Sequence, residues 1–302
     1  MNDNTPTRSG FDSIRQQILD RIDSGEPIRR PRAARLKLAS QRSPEWDMEW
    51  LETTILLNCY MRSRPARTHG NLGRLRKLRA ARGQMDTFDG FMAKVVDILH
   101  PEFITPHGYS TTFDKLDASG IFSAMGEAFG PVAALGHPVF LYAGALLGYV
   151  RNGKLIDHDD DIDLAVYLGD LTHDQVADRW LEYKVKLAKC GLLSGQNATS
   201  RAAIFKLNTT LPIDVDLFPA WTTNGKLSVY PYSFDQVATE QIFPLTSFGQ
   251  DPVLLPKEPE ALLKVSYGED WRVPDPLFHV NWPNKQRIFH QLCSKNYALG
   301  DT

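Results

Sequence analysis

Apolar residues recur every three or four positions through the first third of the chain, and the texture changes after about Thr112. Ile14, Ile18 and Ile22 form one stripe, which predicts an amphipathic helix over residues 11–24 with Asp12 as its cap. Pro27 to Pro31 reads as an arginine-rich break. Ser43-Pro44 joins a capping hydroxyl to a proline at the first helical position. The apolar residues after it (Trp46, Trp50, Ile55, Leu56, Leu57, Cys59 and Tyr60) predict a core helix. His69-Gly70-Asn71-Leu72-Gly73 reads as a loop, residues 91–99 as another helix and 101–110 as an irregular connection. Residues 1–111 are thus expected to form a helical region, with no chemistry visible in it.

The second region, residues 112–302, alternates strands with helices. A helical pattern over 116–134 leads to the β-rich run Val139-Phe140-Leu141-Tyr142. Gly144 follows, opening a helix over Ala145 to Val150, and a polar turn from Arg151 to Lys154 closes it. Ile162 to Leu168 is strand-like, and 173–190 is a helix by spacing, with Val176, Trp180, Leu187 and Cys190 on or near one face. Ala202–Leu207 and Ile213–Phe218 read as strands separated by the turn Asn208 to Pro212. The pattern implies an α+β domain, a mixed β-sheet flanked by helices, behind an N-terminal helical region.

Composition narrows the class. The 302 residues are 42% hydrophobic and 23% charged, ordinary for a soluble globular protein. Met1 to Gly10 is polar and carries no secretory pattern, and no run reaches the roughly 18 apolar residues of a membrane span. Three widely spaced cysteines (Cys59, Cys190, Cys293) argue against a disulfide framework or a cysteine zinc site and suit a reducing compartment. A cytoplasmic location is expected. The net charge of −2 hides an asymmetry: residues 28–82 hold fourteen Lys or Arg against four acids, while the remainder holds twenty bases against thirty-two acids. Residues 29–82 therefore suggest an anionic partner, such as peripheral contact with the inner face of a membrane, or else a helical face docked on the acidic part.

The chemistry-bearing stretch is Gly144-Ala145-Leu146-Leu147-Gly148-Tyr149-Val150-Arg151, then Ile156-Asp157-His158-Asp159-Asp160-Asp161-Ile162-Asp163. Five aspartates within residues 157–163 repel one another and raise one another's pKa, a cost that a divalent cation removes. On a strand, Asp161 and Asp163 present two carboxylates to one side while Ile162 faces the core. Hard oxygen ligands of this kind suit Mg²⁺, with Mn²⁺ as the alternative. A calcium loop is excluded because its glycine and distal glutamate are missing. Ile213-Asp214-Val215-Asp216-Leu217-Phe218 supplies a further carboxylate, with Asp214 and Asp216 sharing a face. The strand–Gly144–helix turn lets backbone N–H groups approach a phosphate.

These motifs resemble the LicD-type phosphocholine transferases and their fukutin-related relatives. The resemblance rests on Gly144 to Arg151, on Ile156 to Asp163, on Val215-Asp216-Leu217-Phe218-Pro219, and on the tail Ala261 to Trp271 ending at Pro274. It covers about residues 112–280. It implies a nucleotidyltransferase-like fold and a phosphotransferase for substituted phosphate groups, moving a phospho-alcohol from a CDP-activated donor to a hydroxyl of a glycan or lipid-linked glycan. By position, Asp161, Asp163 and Asp216 correspond to the metal-binding, catalytic carboxylates and Gly144 to the turn near the donor phosphates. Ala145 stands where the family often has Thr or Ser, leaving only its backbone amide for the donor, and Asp157-His158 replaces a frequent Pro-Trp pair. Arg151 is a candidate phosphate contact or a structural turn residue. His158 is a candidate donor contact or a packed histidine. Lys206 is a candidate phosphate contact or a solvated strand residue. Asp216 is expected to accept the acceptor hydroxyl's proton, and Tyr267 and Trp271 to belong to the core. The competing readings are nucleotidyl transfer from an NTP to a small molecule or RNA, and an inactive glycan- or nucleotide-binding module. A nucleic-acid partner is disfavoured.

Overall fold

The computed structural model describes residues 5–105, 108–110, 125, 129–156, 159, 161–211, 213–248, 251–275, 277–278, 280 and 282–299. The chain divides into two compact units, Met1–Thr112 with Asp275–His279, and Phe113–Pro274 with Val280–Thr302. Among the described residues, no helix is long and apolar enough to cross a membrane.

The first unit is built from α1 (Arg8–Asp23), α2 (Pro31–Ser40), α3 (Asp47–Tyr60), α4 (Pro65–Ala80) and α5 (Met85–Leu99). Thr7, rather than Asp12, caps α1: its hydroxyl accepts from the Gly10 amide at 3.1 Å, and Asp12 instead pairs with Arg8 one turn earlier. The arginine-rich break ends at Arg30, because Pro31 at the first position opens α2. Ser43 caps a single 3-10 turn, Pro44–Trp46, that runs into α3. Helix α3 is apolar almost all round and packs against α1, α2, α4 and α5, as a central helix must. The indole N–H groups of Trp46 and Trp50 donate to the Gln41 and Leu38 carbonyls at 2.8 and 2.7 Å, tying the end of α2 to α3. Burial pushes the Cys59 thiol up to about 12, so it is inert.

Residues 69–73 are helical, within α4, and the expected loop is absent. Thr68, Leu72 and Leu75 are fully buried on one face, and that burial outweighs the cost of about 1 kcal/mol for each interior glycine. Residues 101–110 include a small hairpin, β1 (Phe103–Ile104) with β2 (Tyr109–Ser110). The expected helix over 116–134 lies mostly outside the described residues, and 129–133 are helical.

The second unit holds a mixed sheet with helices packed on it. Its strands are β3 (Val139–Leu141), β4 (Asp161–Asp170), β5 (Phe205–Lys206), β6 (Asp214–Thr223), β7 (Lys226–Val229), β8 (Tyr232–Ser233), β9 (Thr246–Phe248) and β10 (Asp251–Leu255). They lie in the order β8-β7-β6-β4-β3-β10-β9, and β5 pairs with β6 beside β7. β4 with β6 and β3 with β10 are parallel, and the remaining pairs are antiparallel. The helices are α6 (Ala143–Asn152), α7 (His173–Lys189), α8 (Gly195–Ala198), α9 (Thr239–Ile242), α10 (Pro259–Tyr267), α11 (Trp282–Ile288) and α12 (His290–Ser294). This is the α+β, nucleotidyltransferase-like architecture, with β4 and β6 at its centre. Val176, Trp180 and Leu187 of α7 are buried, whereas Cys190 caps the helix and is exposed. Trp180 stacks on Phe205 at 4.4 Å and donates to the Ala203 carbonyl at 2.7 Å. Beside it Lys184 is fully buried, donating to the carbonyls of Ser200 and Tyr297 at 3.0 and 2.7 Å. The strand expected over Ala202–Leu207 is confined to Phe205–Lys206, which pair in register with β6, and the Leu207 N–H adds one bond to the Val215 carbonyl at 2.9 Å.

Candidate active site

Asp161 and Asp163 alternate on β4 with Ile162 and Leu164, which are fully buried on the other face. Parallel pairing sets Asp161 opposite Asp214 and Asp163 opposite Asp216. Residues paired in register project to the same face, so four carboxylates form a two-by-two array at the starts of the two strands. The array repeats at about 4.8 Å across the strands and about 6.6 Å along them. Its exposure is graded: the Asp214 side chain is 67% exposed and that of Asp216 11%.

The inner row extends in both directions. On one side Lys206 of β5 pairs with Asp216, and its Nζ reaches Asp216 Oδ1 at 2.8 Å and Asp214 Oδ2 at 2.9 Å. Burial works against the ammonium charge, but the hydrogen bonds to Asp216 and Asp214 raise its proton affinity above that of an ordinary lysine. On the other side the Gly144 amide donates to Asp163 Oδ2 at 3.0 Å. Ala143, with φ of 40°, turns the chain from β3 into α6 and is held in a left-handed backbone that costs a non-glycine residue about 1 kcal/mol. The row therefore reads Gly144, Asp163, Asp216, Lys206 across a helix start and three strands.

Both glycines of the Gly144–Gly148 pair are required by close approach. A Cβ on Gly144 would run into the Asp159 carboxylate and lie 3.4 Å from Asp163 Oδ2. One on Gly148 would lie 2.6 Å from the Lys154 carbonyl oxygen and 2.8 Å from the Ile156 nitrogen. Asp159 thus enters the site beside Asp163. Burial first, then Asp161, Asp159 and Asp216, hold the Asp163 carboxyl well above the usual carboxylate range, and the Gly144 N–H pulls the other way. Helix α10 packs on α6 and places Tyr267 in the same field: burial, then Asp163 and Asp159, push its hydroxyl well above the tyrosine range.

Of the expected site residues, the structure brings Asp161, Asp163, Asp216, Gly144 and Lys206 together. Ala145 is buried in the core. Arg151 lies in the last turn of α6, about 10 Å along the axis from Gly144, with its Nε donating to Asn152 Oδ1 at 2.8 Å. His158 lies outside the described residues. Asp159 and Tyr267 gain a place at the site that the sequence reading did not give them. The signal for Asp159 was its position in the acidic cluster, and for Tyr267 its place in the C-terminal motif. The residues able to hold a cation are Asp161, Asp163 and Asp216, with Asp159 adjacent. Among the described residues, no three His, Cys, Asp or Glu side chains already converge into a complete cage.

Residues 136–256 match the family model described as LicD/FKTN/FKRP, nucleotidyltransferase domain. The match contains Gly144, the five aspartates of 157–163, Lys206 and Asp216, and ends before the tail motif from Ala261. No curated protein matches the chain. At a coarse level this family supports phosphotransferase chemistry of the phospho-alcohol class. The domain built on the Gly144–Asp163–Asp216–Lys206 row is thus similar, over residues 136–256, to the LicD/FKTN/FKRP nucleotidyltransferase domain.

Proposed function

We propose that the protein transfers a phospho-alcohol, such as phosphocholine, ribitol phosphate or glycerol phosphate, from a CDP-activated donor to a hydroxyl of a glycan or its lipid-linked precursor. The observation that carries this reading is the inner row, where the half-buried Asp163 and the buried Asp216 lie between a backbone amide and an ammonium group. The donor set fits Mg²⁺ or Mn²⁺. It consists of carboxylate oxygens whose burial and mutual repulsion raise the proton affinity of Asp163, and Mg²⁺ typically takes only one or two carboxylates plus substrate oxygens. Asp161, Asp163 and Asp216 would hold the ion, which when bound neutralises charge on the donor diphosphate.

The chain's own groups do the rest. Gly144 orients the Asp163 carboxylate through its amide. Lys206 holds the Asp216 carboxylate in place through its 2.8 Å ion pair. Asp216 takes the proton of the attacking hydroxyl. Lys206, at the end of the row, supplies positive charge for a phosphate oxygen of the donor.

A panel of CDP-choline, CDP-ribitol and CDP-glycerol, incubated with Mg²⁺ and glycan acceptors, tests the proposal by CMP release. Acceptor-dependent release from one donor is the expected result. Pyrophosphate release from an NTP, with no CMP from any CDP-alcohol, would put nucleotidyl transfer in its place.

A further inference from the structure

A second site lies in the helical unit. Helices α1 and α2, joined by residues 24–30, flank an open groove of about 670 Å³. It is lined by the apolar Ile14, Ile18, Ile28, Ala33 and Ala34, and by four bases, Arg21, Arg29, Arg30 and Lys37, against one acid, Asp20. Between Pro27 and Gln41 the chain holds five bases and no acid.

The basic stretch is divided in its electrostatics. Toward α3–α5 five of the nine bases from Arg42 to Arg82 are paired internally: Arg42 and Arg74 with Asp47, Arg79 with Glu52, Arg62 with Glu102 and Arg76 with Asp275. At the groove, Arg21 pairs with Glu26, but Arg29, Arg30 and Lys37 have no carboxylate partner among the described residues. Leu36, next to Lys37, is 63% exposed. An apolar lining beside unneutralised cations, with an exposed leucine on the same helix, is the chemistry of a surface that meets an anionic amphiphile.

We propose that the α1–α2 groove docks the protein on an anionic lipid bilayer. Arg29, Arg30 and Lys37 contact lipid phosphates, and the apolar lining and Leu36 meet the acyl boundary. A soluble anion would use the cations and leave the apolar lining and Leu36 without a role.

The test is co-sedimentation of the full chain with phosphatidylglycerol vesicles, which reads neither turnover nor metal and is therefore independent of the proposed reaction. Wild type should bind at low salt and release as salt rises. Replacing Arg29, Arg30 and Lys37 together by glutamate should lower binding more than tenfold, and L36E alone severalfold. A control reversal at the exposed Arg67, Lys77 and Arg82 changes net charge equally and should bind nearly as wild type. Circular dichroism melts confirm that each variant is folded. Equal loss in both triple variants would mean bulk charge attraction and would overturn the site. So would absence of binding at low salt, or binding to RNA or glycerol phosphate that competes fully with vesicles.

Discussion

Alanine at Gly148 and at Gly144 should break different things, although the two glycines lie one turn apart on α6. At Gly148 the added methyl meets only main chain, with the Lys154 oxygen at 2.6 Å, the Ile156 nitrogen at 2.8 Å and the Leu155 carbonyl carbon at 3.0 Å. None of these atoms can rotate away, so α6 and the 154–156 segment must separate. Overpacking of this kind costs about 1–3 kcal/mol, partly offset by the 0.5–1 kcal/mol or so that alanine gains over glycine inside a helix. A net loss of about 1–2 kcal/mol corresponds to a fall in Tm of about 3–8 °C for a unit of this size. At Gly144 the obstacle is the Asp159 side chain, which can swing aside by about 1 Å, with Asp163 close behind. Gly144→Ala should therefore melt near wild type. Its turnover should drop by about a hundredfold, the cost of misplacing a reacting group by about 1 Å. Differential scanning calorimetry and CMP release from the productive CDP-alcohol read the two effects separately. A Gly148→Ala protein melting within about 1 °C of wild type would refute the close-packing argument. A Gly144→Ala protein with nearly full turnover would remove Asp159 and Asp163 from the reaction.

Three further outcomes follow from the charges. Folding raises the proton affinity of Asp163, so in the metal-free protein this group's contribution to stability is fully present below the ordinary aspartate pKa of about 4 and is lost as pH rises through the raised value. Asp163→Asn should flatten that slope and melt higher than wild type in EDTA at neutral pH; an unchanged slope would show Asp163 unstrained. Lys184 behaves oppositely: burial lowers it to about 8, so the unfolded chain binds the proton more tightly and stability should rise between about pH 8 and 10.5. Lys184→Met should lose this rise, which thermal melts across that range would reveal. Lys206→Met removes the ammonium group that binds both Asp214 and Asp216, so turnover should fall about tenfold or more while the melting temperature stays near wild type. Unchanged turnover would remove Lys206 from the reaction.

The carboxylates were legible in the sequence because strand alternation is a local rule. Asp161 with Asp163, and Asp214 with Asp216, share faces by their spacing alone, and the structure places both pairs on strands. Register is not local. That Asp163 lies opposite Asp216, and Lys206 opposite Asp216 on its other side, depends on how distant segments pair. The approach of Asp159 to Gly144 belongs to the turn before β4, where no periodicity guides a reading. The short strands β7 to β10 escaped because two to five residues carry too little alternation to stand out. Helix α4 escaped because His-Gly-Asn-Leu-Gly has the composition of a turn, and only the buried partners of Leu72 and Leu75 make it helical.

The in-register pairing of β4 with β6 also separates what the fold must keep from what it can exchange. The spacing of the carboxylates is written in the hydrogen-bond ladder of two ten-residue strands, and a one-residue slip would turn every acid to the opposite face. The described residues just before those strands, Asp159 ahead of β4 and 208–211 ahead of β6, take no part in the β4–β6 register. Substitutions at these entrances can therefore reshape the approach to the carboxylates while the spacing of the carboxylates stays fixed by the ladder.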